Sequence, residues 1–240
     1  MTWPKAMVNT LLMWEWVHSI LIIDNASNYK PTLDWYNEIE SHPRVGVLRL
    51  RENLGHIAPF QLNVAQQLCF QIKSKYYVIT DPDLDLSALP YNTLKQMVAI
   101  YESLHQGDYT YEGREGDPFN GARIRYRDKL GLSIRIDDVP MDALFYTNME
   151  GRYYEQPTDD KIQTAPVDTT FALYSIREPF AYKVGGVRTS APLTCRHLPY
   201  YYTEATLQKD EEFKQYLHHA NYSSSTKQRY DGQGSTLISQ

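Results

Sequence analysis

Cysteine is nearly absent from this sequence, and long apolar runs are absent altogether. The two cysteines, Cys69 and Cys195, are too few for a disulfide framework or a cysteine-rich zinc site. No apolar stretch reaches the roughly 18 residues that a membrane span needs, and Glu15 interrupts the apolar stretch near the chain start, which argues against a secretory signal. We therefore expect a cytoplasmic protein with no transmembrane segment.

An excess of positive charge is also missing. The chain has 24 lysines and arginines against 29 aspartates and glutamates, for a formal net charge of −5. A dedicated nucleic-acid-binding protein usually has a basic excess, so nucleic acid is not an expected partner. The Gly-rich phosphate-binding loop of NTPases and the Gly-x-Gly-x-x-Gly pattern of dehydrogenases are absent too, which disfavours both classes.

Tyrosine, by contrast, is abundant, with 20 residues in a chain of 240. Its ring is apolar and its hydroxyl is polar, so an excess suits clefts that bind polar ligands such as carbohydrate. Hydrophobic residues make up 42% and charged residues 22%, as in ordinary globular domains.

The first half of the chain alternates between helical and strand patterns. This alternation is typical of right-handed βαβ units and predicts an α/β fold with a Rossmann-like, mainly parallel sheet flanked by helices. Predicted strands cover 19–24, 45–50 and 76–80, and predicted helices cover 6–18, 31–41, 57–72 and 91–104.

The second half is less regular. Strands are predicted at 169–174 and 181–187, a loop at 185–194 and a helix at 203–220. We expect a single domain over 1–222, with a nucleotide-binding half at 1–104, an acceptor half at 105–222 and a polar tail at 223–240.

Acids and amides follow each of the first three predicted strands. Asp24 and Asn25 follow the first, Asn53 and Gly55 the second, and the motif Asp81-Pro-Asp83-Leu-Asp85 the third. Ligands bind at the carboxyl ends of strands in open parallel sheets. Clustered carboxylates repel one another, and a divalent cation such as Mg²⁺ or Mn²⁺ relieves that repulsion. The alternative is an acidic turn that caps the next helix or faces water.

These motifs resemble those of family-2-like glycosyltransferases with the GT-A fold. The resemblance covers roughly residues 6–202 and keeps that family's motif order. Two features depart from it: no strand is predicted before the first helix, and Pro82 lies within the acidic motif. The matching segments are Ile20–Ser27, Glu52–Gly55, Tyr76–Asp83, Gly131–Pro140, Val167–Tyr174 and Arg196–Tyr202.

The resemblance implies a metal site for Mn²⁺ or Mg²⁺. Asp81, Asp83 and His197 would hold the ion, with Asp83 the more direct ligand and Asp85 a possible substitute. His197 is equally compatible with a structural, hydrogen-bonded histidine.

The resemblance also implies residues that bind the donor. Asp24 would recognise the base or ribose, Asn53 and Gly55 would pass close to the nucleotide, and Asp81 would lie at its phosphates. Separately from the resemblance, the predicted loop at 185–194 is expected near the active site, with Arg188 facing phosphate. The alternatives are that Asp24 only closes a turn and that the Asn53–Gly55 loop only needs a permissive backbone.

Asp168 matches the general base of inverting members of the family. Its alternative is an ion pair with a nearby arginine, and Asp137 and Asp138 are rival bases.

The predicted function is metal-dependent transfer of a sugar from a nucleoside-diphosphate sugar, with uridine as the expected base, to a glycan or polysaccharide hydroxyl, with inversion. Two alternatives stay open: a sugar nucleotidyltransferase, and a nucleotide-sugar-binding module without turnover.

Overall fold

The structure is a computed structural model that describes the first half of the chain nearly completely and parts of the second half. The described residues are 3–104, 110–112, 123–125, 129–143, 161–163, 165, 167, 170–178 and 187–219. No helix within these ranges is long and apolar enough to cross a membrane.

The first half contains five helices and four strands. The helices are α1 (Trp3–Met13), α2 (Lys30–Ile39), α3 (Ala58–Gln61), α4 (Val64–Ile72) and α5 (Thr93–Leu104). The strands are β1 (Ile20–Asp24), β2 (Val45–Arg49), β3 (Tyr76–Ile79) and β4 (Leu84–Asp85).

The described part of the second half is built from short strands and two helices. The strands are β5 (Thr110–Glu112), β6 (Arg123–Arg125), β7 (Leu130–Gly131), β8 (Ser133–Ile134), β9 (Ile162–Gln163), β10 (Ala172–Ser175), β11 (Val187–Thr189) and β12 (Thr194–His197). A 3₁₀ turn (Leu198–Tyr201) follows β12 and precedes α6 (Glu204–Leu207) and α7 (Glu211–His219).

The prediction of a mainly parallel, GT-A-type sheet is wrong. Only β1 and β2 form the parallel two-stranded sheet of the first half, whereas β3 lies in a five-stranded sheet of order β3-β10-β7-β11-β9. A three-stranded sheet has the order β4-β12-β8, and β5 pairs with β6. Among the described strands, five pairings are antiparallel and three are parallel.

Strand β3 was predicted to lie in the parallel sheet, and its actual partner strand explains why that prediction failed. Residues 76–79 are apolar and follow a helix, as in a βαβ unit, but they pair antiparallel with Ala172–Ser175 of β10. Tyr77 and Tyr174, opposite each other in this ladder, stack with ring centroids 5.2 Å apart. Cross-strand aromatic pairs stabilise a sheet, and a partner so distant in sequence leaves no local pattern.

The predicted helix at 57–72 is two helices. Asn63 adopts a left-handed conformation with φ 51°, which separates α3 from α4, and Lys73 with φ 56° ends α4. A second revision concerns 185–194, predicted as a loop: residues 187–189 form β11, and Thr194 begins β12.

Helix α1 joins two hydrophobic cores. Met7 and Leu11 lie in the largest buried cluster, while Val8 packs in a separate cluster with Trp35 and Val45 beside the β1–β2 sheet. The largest cluster draws on α5 and on strands of both larger sheets, including Leu84, Met97, Tyr101, Leu130, Leu173, Val187 and Cys195. Burial of a large apolar side chain contributes about 1.5–3 kcal/mol, so this cluster holds β4 and β12 in place.

Gly131 provides a test of this packing. A Cβ there would lie 2.6 Å from Cγ1 of buried Val167, so we expect Gly131→Ala to destabilise the fold by about 1–3 kcal/mol through overpacking. Gly46→Ala in β2 is the matched control, because its Cβ would meet only Leu21 Cδ1 at an ordinary 3.5 Å. Urea denaturation measures both, and equal midpoints for the two variants would contradict the packing described.

Candidate functional site

The pairing of β4 with β12 brings the acidic motif to the segment around His197. In this antiparallel ladder Arg196 lies opposite Asp85 and His197 lies opposite Leu84. The amide of Leu198 donates to the carbonyl of Asp83 at 2.9 Å and extends the ladder by one step. Two motifs that are far apart in the sequence therefore lie side by side.

Asp83 and His197 face each other within this ladder. Asp83 Oδ2 lies 3.4 Å from His197 Nε2, and the two side chains are only 11% and 13% exposed. Asp83 Oδ1 is buried and has no hydrogen-bond partner among the described residues. The Tyr200 ring packs against the His197 imidazole in a T-shaped arrangement, with 4.5 Å between the ring centroids. A buried carboxylate oxygen without a donor is costly, so this oxygen is a candidate ligand atom.

A divalent cation fits the donors of this pair. Adjacent ligands of an octahedral ion, each about 2.1 Å from it, lie about 3 Å apart, close to the observed 3.4 Å. No group of three or more His, Cys, Asp or Glu side chains within the described ranges is arranged to hold a metal. Mg²⁺ usually takes only one or two carboxylates and completes its shell with water and substrate phosphates, so a two-residue site suits a phosphate-bound ion.

The other two acids of the motif are placed differently. Asp81 is half-buried, two residues before Asp83. Asp85 accepts hydrogen bonds from the Ser87 amide at 2.9 Å and from Arg196 at 3.4 Å. Burial opposes ionisation of Asp85, but these contacts outweigh it and hold the pKa of this carboxyl below its ordinary value. Asp85 is thus an ion-paired carboxylate and a weaker candidate ligand than Asp83.

At the edge of the β1–β2 sheet, Asp24 closes the turn that follows β1. It is 3% exposed and accepts hydrogen bonds from the Ser27 amide at 3.2 Å and from the Tyr36 hydroxyl at 3.2 Å. Burial and the Asp24 charge both raise the pKa of Tyr36, so that hydroxyl stays protonated as a donor. These contacts match the turn-closing alternative, and they fix Asp24 at the carboxyl end of β1.

Asn25 connects this turn to the Asn53–Gly55 loop, a role that the sequence reasoning missed. Its side-chain amide donates to the Gly55 carbonyl at 3.1 Å, and its oxygen accepts from the Leu54 amide at 3.2 Å. Asn53 accepts from the Gly55 amide at 2.9 Å, and Gly55 has φ 74°, which suits glycine. Because β1 and β2 are parallel neighbours, the first two of the three predicted strand ends meet, whereas the third belongs to β3 in the five-stranded sheet. The sequence did contain a signal for this role of Asn25, because asparagine side chains commonly hydrogen-bond the backbone of turns.

Arg188 lies on β11, paired with Gly131 and Gln163, and it is 7% exposed. Burial raises the pKa of the neighbouring Cys195 thiol to about 12, while the positive charge of Arg188 opposes that rise. The arginine therefore lies in the interior beside β12 rather than on a loop.

The candidate bases differ in what can be described. Asp168 lies outside the described residues, although Val167 and Thr170 on either side of it are buried. Asp137 is exposed and pairs with Arg135 at 2.7 Å. Asp138 accepts from Arg196 and from the Tyr201 hydroxyl; burial opposes its ionisation, but these contacts hold its pKa below the ordinary value. A low pKa weakens a carboxylate as a base, so these contacts count against Asp138 as a general base.

The Asn25 connection gives a testable prediction. Asn25→Ala should cost about 1–2 kcal/mol for two lost hydrogen bonds and should expose the Leu54 amide to hydrogen exchange. Asn25→Asp keeps the acceptor for Leu54 but loses the donor to Gly55, so it should retain Leu54 protection. Exposed Asn28→Ala in the same turn is the control. Equal Leu54 exchange in wild type and Asn25→Ala would show that this connection does not order the loop.

Comparison with known proteins adds no family to this description. No protein-family model, no curated protein and no solved structure matches the chain.

Proposed function

We propose that this protein is a metal-dependent glycosyltransferase that moves a sugar from a nucleoside-diphosphate sugar to a hydroxyl of a glycan or polysaccharide. The observation that supports the proposal most is the buried Asp83–His197 pair, whose carboxylate has one oxygen 3.4 Å from the imidazole and one oxygen without a partner among the described residues. Such a two-ligand site needs further oxygen ligands, and a diphosphate supplies them.

The proposed donor lies with its diphosphate at Asp83 and His197. A bound Mn²⁺ or Mg²⁺ would supply positive charge against the diphosphate that leaves. Asp83 contributes a carboxylate oxygen and His197 a ring nitrogen, and both side chains are shielded from water. Low exposure strengthens electrostatic interactions between such groups and their ligand. Asp81, which the resemblance places near phosphate, and Arg188, which the sequence analysis also expects there, remain proposed contacts.

The proposed nucleoside contact is the connected pair of loops after β1 and β2. Asn25 and Gly55 join these loops, and the Asn53 side chain is exposed beside them. Asp24 keeps acceptor capacity beyond its contacts to Ser27 and Tyr36, because a carboxylate has about four lone-pair positions. A ribose hydroxyl or the imide of a uracil ring could use these positions, so uridine is the proposed base.

Asp168 is the proposed general base. Its carboxylate would take the proton of the acceptor hydroxyl, whose oxygen then attacks the anomeric carbon from the face opposite the diphosphate. The bond from the anomeric carbon to the phosphate oxygen breaks, and the diphosphate leaves with the electron pair. One displacement of this kind inverts the anomeric configuration, and its rate depends mainly on positioning.

The proposal predicts the effect of a neutral substitution at Asp83. Asp83→Asn keeps the size of the side chain but removes its charge, so we expect at least about a 100-fold loss of Mn²⁺-dependent UDP release from UDP-sugars. Asp34→Asn is the control, since this exposed carboxylate of α2 pairs only with Lys30 among the described residues. Full activity in Asp83→Asn would refute the metal assignment.

The same preparations separate the alternatives. Pyrophosphate release from a nucleoside triphosphate and a sugar phosphate would indicate a nucleotidyltransferase. Calorimetric binding of UDP with Mn²⁺, without turnover of any UDP-sugar, would indicate a binding module.

A further inference from the structure

Arg196 occupies the middle strand of the three-stranded sheet and contacts carboxylates on both sides. On the β4 side its Nη1 lies 3.4 Å from Asp85 Oδ2. On the β8 side its Nε and Nη2 lie 3.0 and 2.5 Å from Asp138 Oδ2. The strand order β4-β12-β8 places β12 between the two neighbours. One guanidinium therefore links β12 to Asp85 of β4 and to Asp138 in the segment that follows β8.

The Asp138 end of this link is itself fixed. The Tyr201 hydroxyl lies 2.5 Å from Asp138 Oδ1 and 3.1 Å from the Arg135 carbonyl. The Arg196 guanidinium carbon lies over the Tyr201 ring, 5.6 Å from its centroid. The Arg135 amide donates to the Cys195 carbonyl at 2.7 Å, which continues the β8–β12 ladder. Asp138 is thus held by the Tyr201 side chain of the 3₁₀ turn, and Tyr201 also bonds the backbone just after β8.

The Asp85 end of the link reaches the candidate metal site. Asp85 is two residues from Asp83, and Arg196 is the immediate neighbour of His197. The contact between Asp85 and Arg196 therefore lies close in the chain to both candidate ligands, Asp83 and His197. A fork of guanidinium donors holds carboxylates in defined directions, which an ammonium group does not.

We propose that Arg196, anchored by Asp138, is a positioning residue that holds Asp83 and His197 at the separation a divalent cation requires. The inference rests on the proposed function. It assigns Asp138 as the counter-ion of Arg196 rather than as the base. It also assigns Asp85 to the ion pair with Arg196. Of the two aspartates Asp83 and Asp85, Asp83 is therefore the proposed cation ligand.

The test measures Mn²⁺ binding in the presence of UDP, using the electron paramagnetic resonance signal of free Mn²⁺. Partners that orient metal ligands typically affect metal affinity by about 10- to 100-fold, and we expect that loss in Arg196→Met. Arg196→Lys keeps the charge without the fork and should be intermediate. Arg135→Met is the matched control, because Arg135 also faces Asp138, at 3.4 Å, yet it has no described contact with β4.

Turnover separates positioning from a general structural defect. In Arg196→Met the Mn²⁺ concentration for half-maximal rate should rise, while the rate at saturating Mn²⁺ stays within about threefold of wild type. A merely unstable variant would lose rate at every Mn²⁺ concentration. Should Arg196→Met fail to fold by circular dichroism, Asp138→Asn carries the test, since it removes the anchor and leaves Arg196 in place.

The outcomes distinguish this inference from the proposed function. Mn²⁺ binding by wild type with unchanged affinity in Arg196→Met, or in Asp138→Asn where that variant carries the test, would overturn the positioning role and leave the function standing. No Mn²⁺ binding by wild type with UDP would overturn both. A weakened affinity in Arg196→Met, with Arg135→Met like wild type, supports the inference.

Discussion

The antiparallel pairing of β4 with β12 is the constraint on which the candidate site depends. This short ladder sets Asp85 against Arg196 and places Asp83 beside His197. Two-residue strands form few hydrogen bonds of their own, so their position must come from packing. Leu84 and Cys195, each about 1% exposed, supply that packing from the two strands. Packing of Leu84 and Cys195 in the hydrophobic core thus fixes the two strands, and with them the distance between Asp83 and His197.

The β1–β2 sheet is organised by a different kind of interaction. Its two strands are parallel, so the loops after them leave the same edge, and hydrogen bonds from one asparagine side chain join them. The apolar cluster with Trp35 and Val45 supports the sheet, and α1 connects that cluster to the main core through residues on adjacent faces. Helix α1 thus packs against both clusters at once and connects the β1–β2 sheet to the main core.

Local structure was predictable from the sequence where the signal is local. The strands at 20–24, 45–49 and 76–79 were predicted to within two residues. Continuous apolar runs between helices indicate a strand even when its partner strand is unknown. The arrangement of β3 was not predictable, since its partner β10 lies in the second half of the chain. The same limit applies to Arg196, whose partners Asp138 and Asp85 are 58 and 111 positions away. Periodicity carries no information about such contacts.

The acidic motif divides its charges by their surroundings. A guanidinium next to Asp85 compensates its charge and favours the ionised form. Asp83 is buried beside the His197 imidazole and retains an oxygen without a partner among the described residues. Were both carboxylates uncompensated, their repulsion and the cost of desolvation would act together against the folded ladder. Pairing Asp85 with Arg196 lowers that cost, while Asp83 faces the His197 imidazole instead. In the proposed chemistry, a cation bound together with an anionic substrate would compensate Asp83 without adding a permanent positive charge to the protein.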